Sequence, residues 1–279
     1  GLGSIPAEKR NPLELETRGI GELILQLVDQ GVKTICVGIG GSATNDGGIG
    51  MAAGLGVAFY DEQGHLLRPV GASLGRVARI DTSAVPKALE DIELQVLTDV
   101  TNPLCGSQGA TYIFGGQKGL NPLLFPAVDQ AMQDFYQLAD ARILSMPGAG
   151  AGGGMAAGLV AFAGGQISSG IEKSLDLIDF DHKVQKADLV VVGEGRMDLQ
   201  SLSGKAPVGV AKRTPEKIPV IAICGSLAED LPAFPSHHIE AAFSIVPGPC
   251  EVADALAHAE RNLISCARNI GNLLKMKAN

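Results

Sequence analysis

The amino-acid sequence predicts a two-lobed α/β fold, with a mostly parallel, Rossmann-like sheet in the main lobe and a smaller inserted α/β lobe. Short runs of apolar, β-branched residues recur along the chain, as is typical of strands buried on both faces of a parallel sheet. Segments with the apolar spacing of amphipathic helices lie between these runs. This alternation indicates strand–helix–strand connections.

Each predicted strand leads into a glycine-rich or polar loop. The strands are residues 34–39, 94–97, 189–192, 220–223 and 241–246. Helical spacing occurs over residues 19–30, 124–141, 155–163, 208–212 and 252–275. In the first of these helices, apolar residues at 20, 23, 24, 27 and 28 form one stripe.

One segment departs from the alternation. Residues 57–60 and 65–67 have the pattern of a β-hairpin around a four-residue turn. Because a hairpin inside an α/β chain often marks an inserted lobe, we predict a main domain of residues 1–54 plus 146–279 and a smaller lobe of residues 55–145. The uncharged stretch 143–171 has the length of a membrane span, but its proline and nine glycines favour a loop followed by a helix of small residues.

Composition narrows the classes of partner. The net charge of −8 comes without any basic run, which argues against nucleic-acid and membrane partners. With eleven Phe and Tyr residues and no Trp, the chain is also poor in the aromatic residues that stack on single-stranded nucleic acid. Five cysteines without a CxxC pair favour a reducing compartment, so we expect a cytoplasmic protein, and a homo-oligomer is compatible with the sequence.

Ligands of open α/β sheets bind at the carboxyl ends of the strands, where the loops of this sequence are rich in glycine. The loop 38–48 contains G-x-G-x-x-A, and Asp61 follows at about the distance of a ribose-binding acid. That pattern gives one alternative, an NAD(P)-dependent dehydrogenase. A carboxylate at Asp46 would repel a pyrophosphate, however, so Asn45 and Asp46 fit a metal–phosphate or polyol site better, with Asp46 as a helix cap the competing interpretation.

Two further loops carry candidate polar groups. Asp99 and Asn102 follow the second strand and suit metal ligands or hydroxyl acceptors, although Pro103 could instead set an Asx-turn. Lys118 lies between glycines, where it could reach a phosphate or could be a solvated loop lysine.

The last two loops are the richest in glycine and in charge. Residues 147–158 could cradle a nucleotide or could pack a helix closely against the sheet. At the end of the third strand, Glu194 and Asp198 could hold Mg²⁺, and Arg196 could grip a carboxylate or phosphate; a local ion pair is the alternative. These parts match the needs of phosphoryl transfer: donors and cations on the phosphates, metal-binding acids and a base.

Ten ordered segments together match a known family. They are residues 6–12, 17–24, 38–48, 98–104, 114–119, 147–154, 193–198, 204–207, 224–227 and 267–270. From one end to the other, the sequence closely resembles the bacterial type I glycerate kinases. The resemblance implies transfer of the ATP γ-phosphate to D-glycerate, giving 2-phosphoglycerate, in a cleft between two lobes.

The family also has a further N-terminal segment that precedes the first residue of this sequence. We therefore expect part of the sheet and of the cleft to be missing if the molecule begins at residue 1. A truncated form that binds glycerate or nucleotide without catalysis is then a third alternative, beside the kinase and the dehydrogenase.

We assign roles by the chemistry of the matched positions. Asp46 is expected to accept the hydroxyl proton, Asp99 to orient substrate or metal, and Arg196 to grip the glycerate carboxylate or a phosphate. The expected substrate-binding residues are Ser42, Asn45, Asn102, Lys118 and Lys205, the last two neutralising phosphate charge. The expected nucleotide-binding residues are Gly40, Gly41, Gly150, Gly152 and Gly153, and the expected Mg²⁺ ligands are Glu194 and Asp198. The implied cofactors are ATP and Mg²⁺.

Overall fold

A computed structural model describes residues 1–202 and 206–277 of the 279. The chain forms two compact units, residues 1–170 and 171–279. Each unit contains a three-stranded parallel sheet, which confirms the predicted α/β class. This division differs from the predicted one, which placed residues 55–145 in a lobe of their own.

The sheet of the first unit has the strand order β1-β4-β5. Its strands are β1 (Thr34–Gly38), β4 (Glu93–Leu97) and β5 (Gln166–Ser168), and in register Val37 lies opposite Val96, which lies opposite Ile167. The helices of this unit are α1 (Arg18–Asp29), α2 (Ile49–Gly54), α3 (Ala110–Phe114), α4 (Phe125–Ala139) and α5 (Ala151–Ala163). Since β4 pairs with β1, a strand assigned to the smaller lobe lies in the sheet of the predicted main domain.

The apolar stripe of α1 explains where this helix packs. Ile24 is fully buried in the core, and α1 lies against α2. The two helices can approach closely because Gly21 has no side chain. A Cβ atom at this position would lie 2.1 Å from the Met51 carbonyl oxygen. The core continues through Val96 of β4 and Leu159 of α5.

The predicted hairpin forms, because Leu67 N–H donates to the Phe59 carbonyl oxygen and Asp61 N–H donates to the His65 carbonyl oxygen, but its first strand also has a second partner. The strand β2 (Ala58–Tyr60) pairs antiparallel with β3 (Arg79–Asp81) in a separate two-stranded sheet, and the segment 65–67 contributes an isolated bridge from Leu66 to Tyr60. Between them, Asp61 accepts backbone N–H bonds from Gln63 and His65, which lock the turn. The second partner, β3, lies farther along the chain than a hairpin pattern can indicate.

The second unit contains the sheet β6-β7-β8. Its strands are β6 (Val190–Met197), β7 (Val220–Leu227) and β8 (Ala241–Ser244), all parallel, and its helices are α6 (Gly170–Leu177, beginning at the boundary), α7 (Phe180–Val184), α8 (Leu199–Leu202), α9 (Ala206–Arg213), α10 (Val252–Ala257) and α11 (Ala259–Lys277). Val192, Val220 and Ala222 form the centre of its core. The helix predicted over residues 252–275 is thus interrupted at His258.

The strand β6 is longer than predicted. Pairing with β7 continues through Glu194, opposite Cys224, and Arg196, opposite Ser226. The residues predicted to form a loop after Val192 are therefore strand residues as far as Met197. Among the described residues, no helix is long and apolar enough to cross a membrane.

Candidate functional site

The candidate site in the first unit begins where β1 and β4 end. Gly38, the last residue of β1, lies opposite Leu97, the last residue of β4, so the loops that follow them leave from the same edge of the sheet. The glycine-rich segment 147–154, which runs into the first turn of α5, joins them, because Gly150 N–H donates to the Asn102 carbonyl and Gly47 N–H donates to the Gly153 carbonyl. Three predicted site loops are therefore hydrogen-bonded to one another.

A cavity of about 390 Å³ borders the first of these loops. Residues 38–44 form much of its wall, together with Thr17 and Met155. A Cβ atom on Gly40 or Gly41 would have no described atom within 4 Å, so the backbone here faces open space. This cavity is the place in the first unit where a small ligand can reach the glycine-rich loop.

Lys118 supports this loop from within the protein. Its side chain is 3% exposed, and its Nζ donates to Ser42 Oγ at 2.7 Å and to the Thr44 carbonyl oxygen at 2.8 Å. Burial lowers the pKa of Lys118 from its usual 10.5 to about 8, while the nearby Asp46 carboxylate raises it. Lys118 is therefore not a solvated loop lysine. Its ammonium group is hydrogen-bonded to Ser42, which is partly exposed.

Two buried polar atoms beside Lys118 have no hydrogen-bond partner among the described residues. They are Thr44 Oγ1 and Asn45 Oδ1. The amide nitrogen of Asn45 does have a partner, because it donates to Thr111 Oγ1 at 3.0 Å. Buried polar groups are almost always satisfied in folded proteins, so such atoms mark a place for a bound water or ligand.

Asp46 lies beneath the loop and is fully buried. Its Oδ2 accepts from Thr17 Oγ1 at 2.7 Å and from Gly50 N–H at 3.4 Å, and its Oδ1 accepts from Gly48 N–H at 3.1 Å. Complete burial raises the pKa of Asp46, while these donors lower it. Two of the donors, Gly48 N–H and Gly50 N–H, lie at the start of α2, so the geometry favours a structural anchor of this turn over the catalytic base.

The glycines at the start of α5 lie close to the backbone of other loops. Gly152, Gly153 and Gly154 are consecutive left-handed residues, with φ of 69°, 73° and 87°. A Cβ atom on Gly153 would lie 2.1 Å from the Thr44 carbonyl oxygen, and one on Gly150 would lie 2.2 Å from the Pro103 carbonyl oxygen. These contacts favour close packing over the predicted nucleotide cradle, because Gly150 and Gly153 are buried against other loops.

The two polar residues after β4 lie at the rim of this site. Asp99 is exposed and accepts from Ser169 Oγ at 3.3 Å. The side chain of Asn102 donates to the Gln108 carbonyl oxygen at 2.8 Å, which fixes the loop rather than leaving the amide for a ligand. Asn102 therefore has a structural role in this loop, and the role of Asp99 toward substrate or metal stays a prediction.

The remaining predicted residues belong to the second unit. Glu194 and Arg196 lie two residues apart on β6 and so share a face of the sheet. Asp198 follows the strand and caps α8: its Oδ1 accepts from Ser201 N–H at 3.0 Å, and its own N–H donates to Ser201 Oγ. Lys205 lies outside the described residues.

Mg²⁺ has limited support from side chains alone. In the described ranges, no group of three or more His, Cys, Asp or Glu side chains is arranged to hold a metal ion. Mg²⁺ in nucleotide enzymes usually needs one or two carboxylates, with phosphates and waters as the other ligands. A single carboxylate at the end of a strand, such as that of Asp99 after β4, is enough for that smaller requirement.

Three residues of this site have no precedent in the sequence predictions. Thr17 donates to Asp46 and accepts from Met51 N–H, and Thr111 accepts from Asn45. Tyr136 donates its hydroxyl to the Gly47 carbonyl oxygen at 2.6 Å. All three act across long sequence separations, so spacing gives no signal for them.

Comparison with known proteins agrees with the resemblance. A model of the glycerate kinase family matches residues 1–275. The chain is 58% identical over 276 residues to a glycerate kinase of Neisseria meningitidis serogroup B, covering 99% of this chain and 74% of that protein. The chain belongs to the glycerate kinase family. Another relative is glycerate 2-kinase of Escherichia coli K12, at 40% identity over 279 residues, with 98% and 73% of the two chains covered.

A solved structure agrees as well. The crystal structure of a candidate glycerate kinase 2 from Salmonella typhimurium LT2 matches with a TM-score of 0.79 and 41% identity, covering the whole chain and 74% of that protein. Membership of this family disfavours the dehydrogenase. In addition, Asp61 is held in its turn by backbone N–H bonds, chiefly that of His65, which lower its pKa.

Proposed function

We propose that this protein transfers the γ-phosphate of ATP to a hydroxyl of D-glycerate, giving 2-phosphoglycerate. The observation that carries the proposal is 58% identity, over almost the whole chain, to a glycerate kinase. The choice of the 2-hydroxyl rests on the E. coli relative, which is a glycerate 2-kinase. A cavity of about 390 Å³ in the first unit, lined in part by Ser42, is the candidate site for this small acid.

D-Glycerate is small, polar and anionic, and we place it in the 390 Å³ cavity beside Gly40 and Gly41. Because Ser42 Oγ accepts a hydrogen bond from Lys118, the hydroxyl proton of Ser42 is free to donate to an anion in this cavity. The ammonium strengthens that donor, since hydrogen bonds assisted by charge are the strong ones. Lys118 thus acts through Ser42, as a positioning residue.

Asp46 keeps the same loop in place. Through Thr17 and the N–H groups of Gly48 and Gly50, its carboxylate ties the loop to the start of α2.

We assign Asp99 to the Mg²⁺ that accompanies ATP. That ion would neutralise phosphate charge, and Asp99 would hold and orient it at the end of β4. Arg196, which is exposed on β6, keeps its predicted role toward a carboxylate or phosphate.

The test is product analysis by phosphorus NMR after incubation with MgATP and D-glycerate. A new phosphomonoester signal that matches added 2-phosphoglycerate is the expected result. Samples without D-glycerate, and the Ser42→Ala variant, serve as controls for ATP hydrolysis and for the assigned cavity. A signal that matches 3-phosphoglycerate would overturn the regiochemistry, and the absence of any monoester would overturn the kinase proposal. Stabilisation by D-glycerate or MgATP without product would support the non-catalytic alternative.

A cytoplasmic location forms part of the proposal. It is supported by five cysteines, each a free thiol in the structure. A homo-oligomer stays a prediction.

A further inference from the structure

The second unit contains a larger cavity than the one assigned to D-glycerate. Its volume is about 870 Å³, and it borders residues 191–195 of β6, the carboxyl-terminal half of β7, the end of β8 and the loop after it, and the helices α10 and α11. Its wall is mainly aliphatic, with contributions from Val191, Ile223, Leu227, Val246, Leu256 and Leu263. In parallel α/β sheets, this end of the strands is where ligands bind.

Size and polarity decide which substrate suits this cavity. Sites for small molecules usually measure about 300–1,000 Å³ and are mostly apolar. A three-carbon acid would leave most of 870 Å³ empty and would find little to neutralise its charge. A purine nucleoside has flat apolar faces that match aliphatic walls, and it occupies more of such a cavity than a three-carbon acid does.

One polar atom at the cavity fits a nucleoside in particular. Glu194 lines the cavity, and its Oε1 is buried without a hydrogen-bond partner in the described part of the chain. A carboxylate oxygen can only accept, so the missing partner must be a donor. The ribose of a nucleotide offers two hydroxyl donors, and a carboxylate near the end of a strand is a known acceptor for them.

We infer that this cavity binds the adenosine part of ATP, with the base between the aliphatic walls and Glu194 accepting a ribose hydroxyl. The inference rests on the proposed function, which requires ATP, and it gives Glu194 a role different from the predicted Mg²⁺ ligand. It also assigns the nucleoside to residues of the second unit and not to Gly150, Gly152 and Gly153, of which Gly150 and Gly153 are packed against other loops.

Two exposed thiols provide a built-in test. Cys250 lines the cavity, whereas Cys36 lies on β1 in the other unit. The rate of alkylation of each thiol is measured by peptide mass spectrometry, with no addition, with MgATP and with D-glycerate. At MgATP ten times its dissociation constant, simple competition predicts about tenfold slower labelling of Cys250. Cys36 should be unaffected by MgATP, and D-glycerate should leave Cys250 unchanged.

Turnover measured in the same samples separates the two proposals. Turnover with unprotected Cys250 at saturating MgATP would overturn this inference and leave the kinase proposal intact. Protection of Cys250 without turnover would support the inference and count against the kinase. If neither is seen, both are overturned.

A matched pair of variants on α11 provides an independent check. Ala259→Phe places a ring in the cavity, and Ser265→Phe places the same ring in a second cavity of about 470 Å³ on the same helix. The inference predicts that Ala259→Phe raises the KM for MgATP about tenfold or more, leaves the KM for D-glycerate unchanged and abolishes the protection of Cys250. Ser265→Phe should behave as the wild type. Equal effects of the two variants, or a change confined to the KM for D-glycerate, would overturn the inference.

Discussion

Replacing Lys118 by Met tests how the first unit binds an anion. Met keeps an unbranched side chain of similar length but removes the ammonium. The substitution leaves Ser42 Oγ and the Thr44 carbonyl without their donor. Lys33→Met is the matched control, because Lys33 is an exposed lysine of the same unit.

The stability effect is the difference of two opposing terms. Each hydrogen bond from a charged donor is worth about 1.5–3 kcal/mol, so losing both costs about 3–6 kcal/mol. Removing the buried charge offsets part of this loss of stability, because the charged form is unfavourable in the folded protein. The lowering of the Lys118 pKa from 10.5 to about 8 corresponds to about 3 kcal/mol. The net loss is then roughly 0–3 kcal/mol, small enough for a protein of ordinary stability to remain folded.

The effect on activity should be larger. Without the ammonium, Ser42 loses the partner that fixes its hydroxyl toward the cavity, and a loss of ~3 kcal/mol there corresponds to about 10²-fold in kcat/KM for D-glycerate. Steady-state kinetics with D-glycerate varied, together with urea denaturation of each variant, measure both quantities. If Lys118→Met unfolds at much lower urea but shows wild-type kcat/KM per folded molecule, Lys118 is purely structural and the reasoning is refuted.

The other predictions concern the loop, the glycines and pH. Asp46→Asn should destabilise the fold by about 1–3 kcal/mol, because it leaves buried N–H donors unpaired, and should lower kcat less than about tenfold, since removing a general base would cost about 10²–10⁴. Gly153→Ala should cost at least about 3 kcal/mol in thermal or urea unfolding, against about 1 kcal/mol for Gly164→Ala. Both have positive φ, but only Gly153 meets a carbonyl oxygen, that of Thr44; equal costs would contradict the packing interpretation. Below pH about 8, Lys118 is charged in both the folded and the unfolded protein. Between pH about 8 and 10.5 the folded protein loses this proton while the unfolded chain keeps it, so the contribution of Lys118 to the free energy of unfolding rises with pH. Over the same range kcat/KM for D-glycerate should fall, because the ammonium is lost. The falling limb should vanish in Lys118→Met, and its persistence there would assign it to another group.

Several helices and strands of the fold could be predicted, because they depend on local patterns of apolar residues in the sequence. The apolar stripe of α1 and the continuous apolar run of β1 locate these elements to within one residue of the structure. The end of β6 was not predictable, since Gly193-Glu194-Gly195-Arg196 has the composition of a loop. Backbone bonds to β7 keep that segment extended, and pairing in a parallel ladder requires no particular side chain.

Which of the predicted site residues contact one another could not be predicted from the sequence. Lys118 and Ser42 are both in the predicted substrate set, but they are 76 residues apart, and their direct bond depends on the fold. The glycines at the start of α5 show why the role of a residue is harder to predict than its place in a motif. A glycine can allow the close approach of either a ligand or another backbone segment, and the neighbour of Gly153 is the Thr44 carbonyl oxygen. The Thr17–Asp46 bond likewise joins residues 29 positions apart.

The central claim is that D-glycerate binds beside Ser42 and that Lys118 acts through this hydroxyl. Isothermal titration calorimetry of D-glycerate, with the wild type, Ser42→Ala, Lys118→Met and the double variant, tests it without any need for turnover. Each single variant should raise the dissociation constant for D-glycerate about tenfold or more. The double variant should bind no more weakly than Lys118→Met alone, because residues that act as one unit are not additive. Unchanged affinity in either single variant, or full additivity in the double variant, would contradict the account.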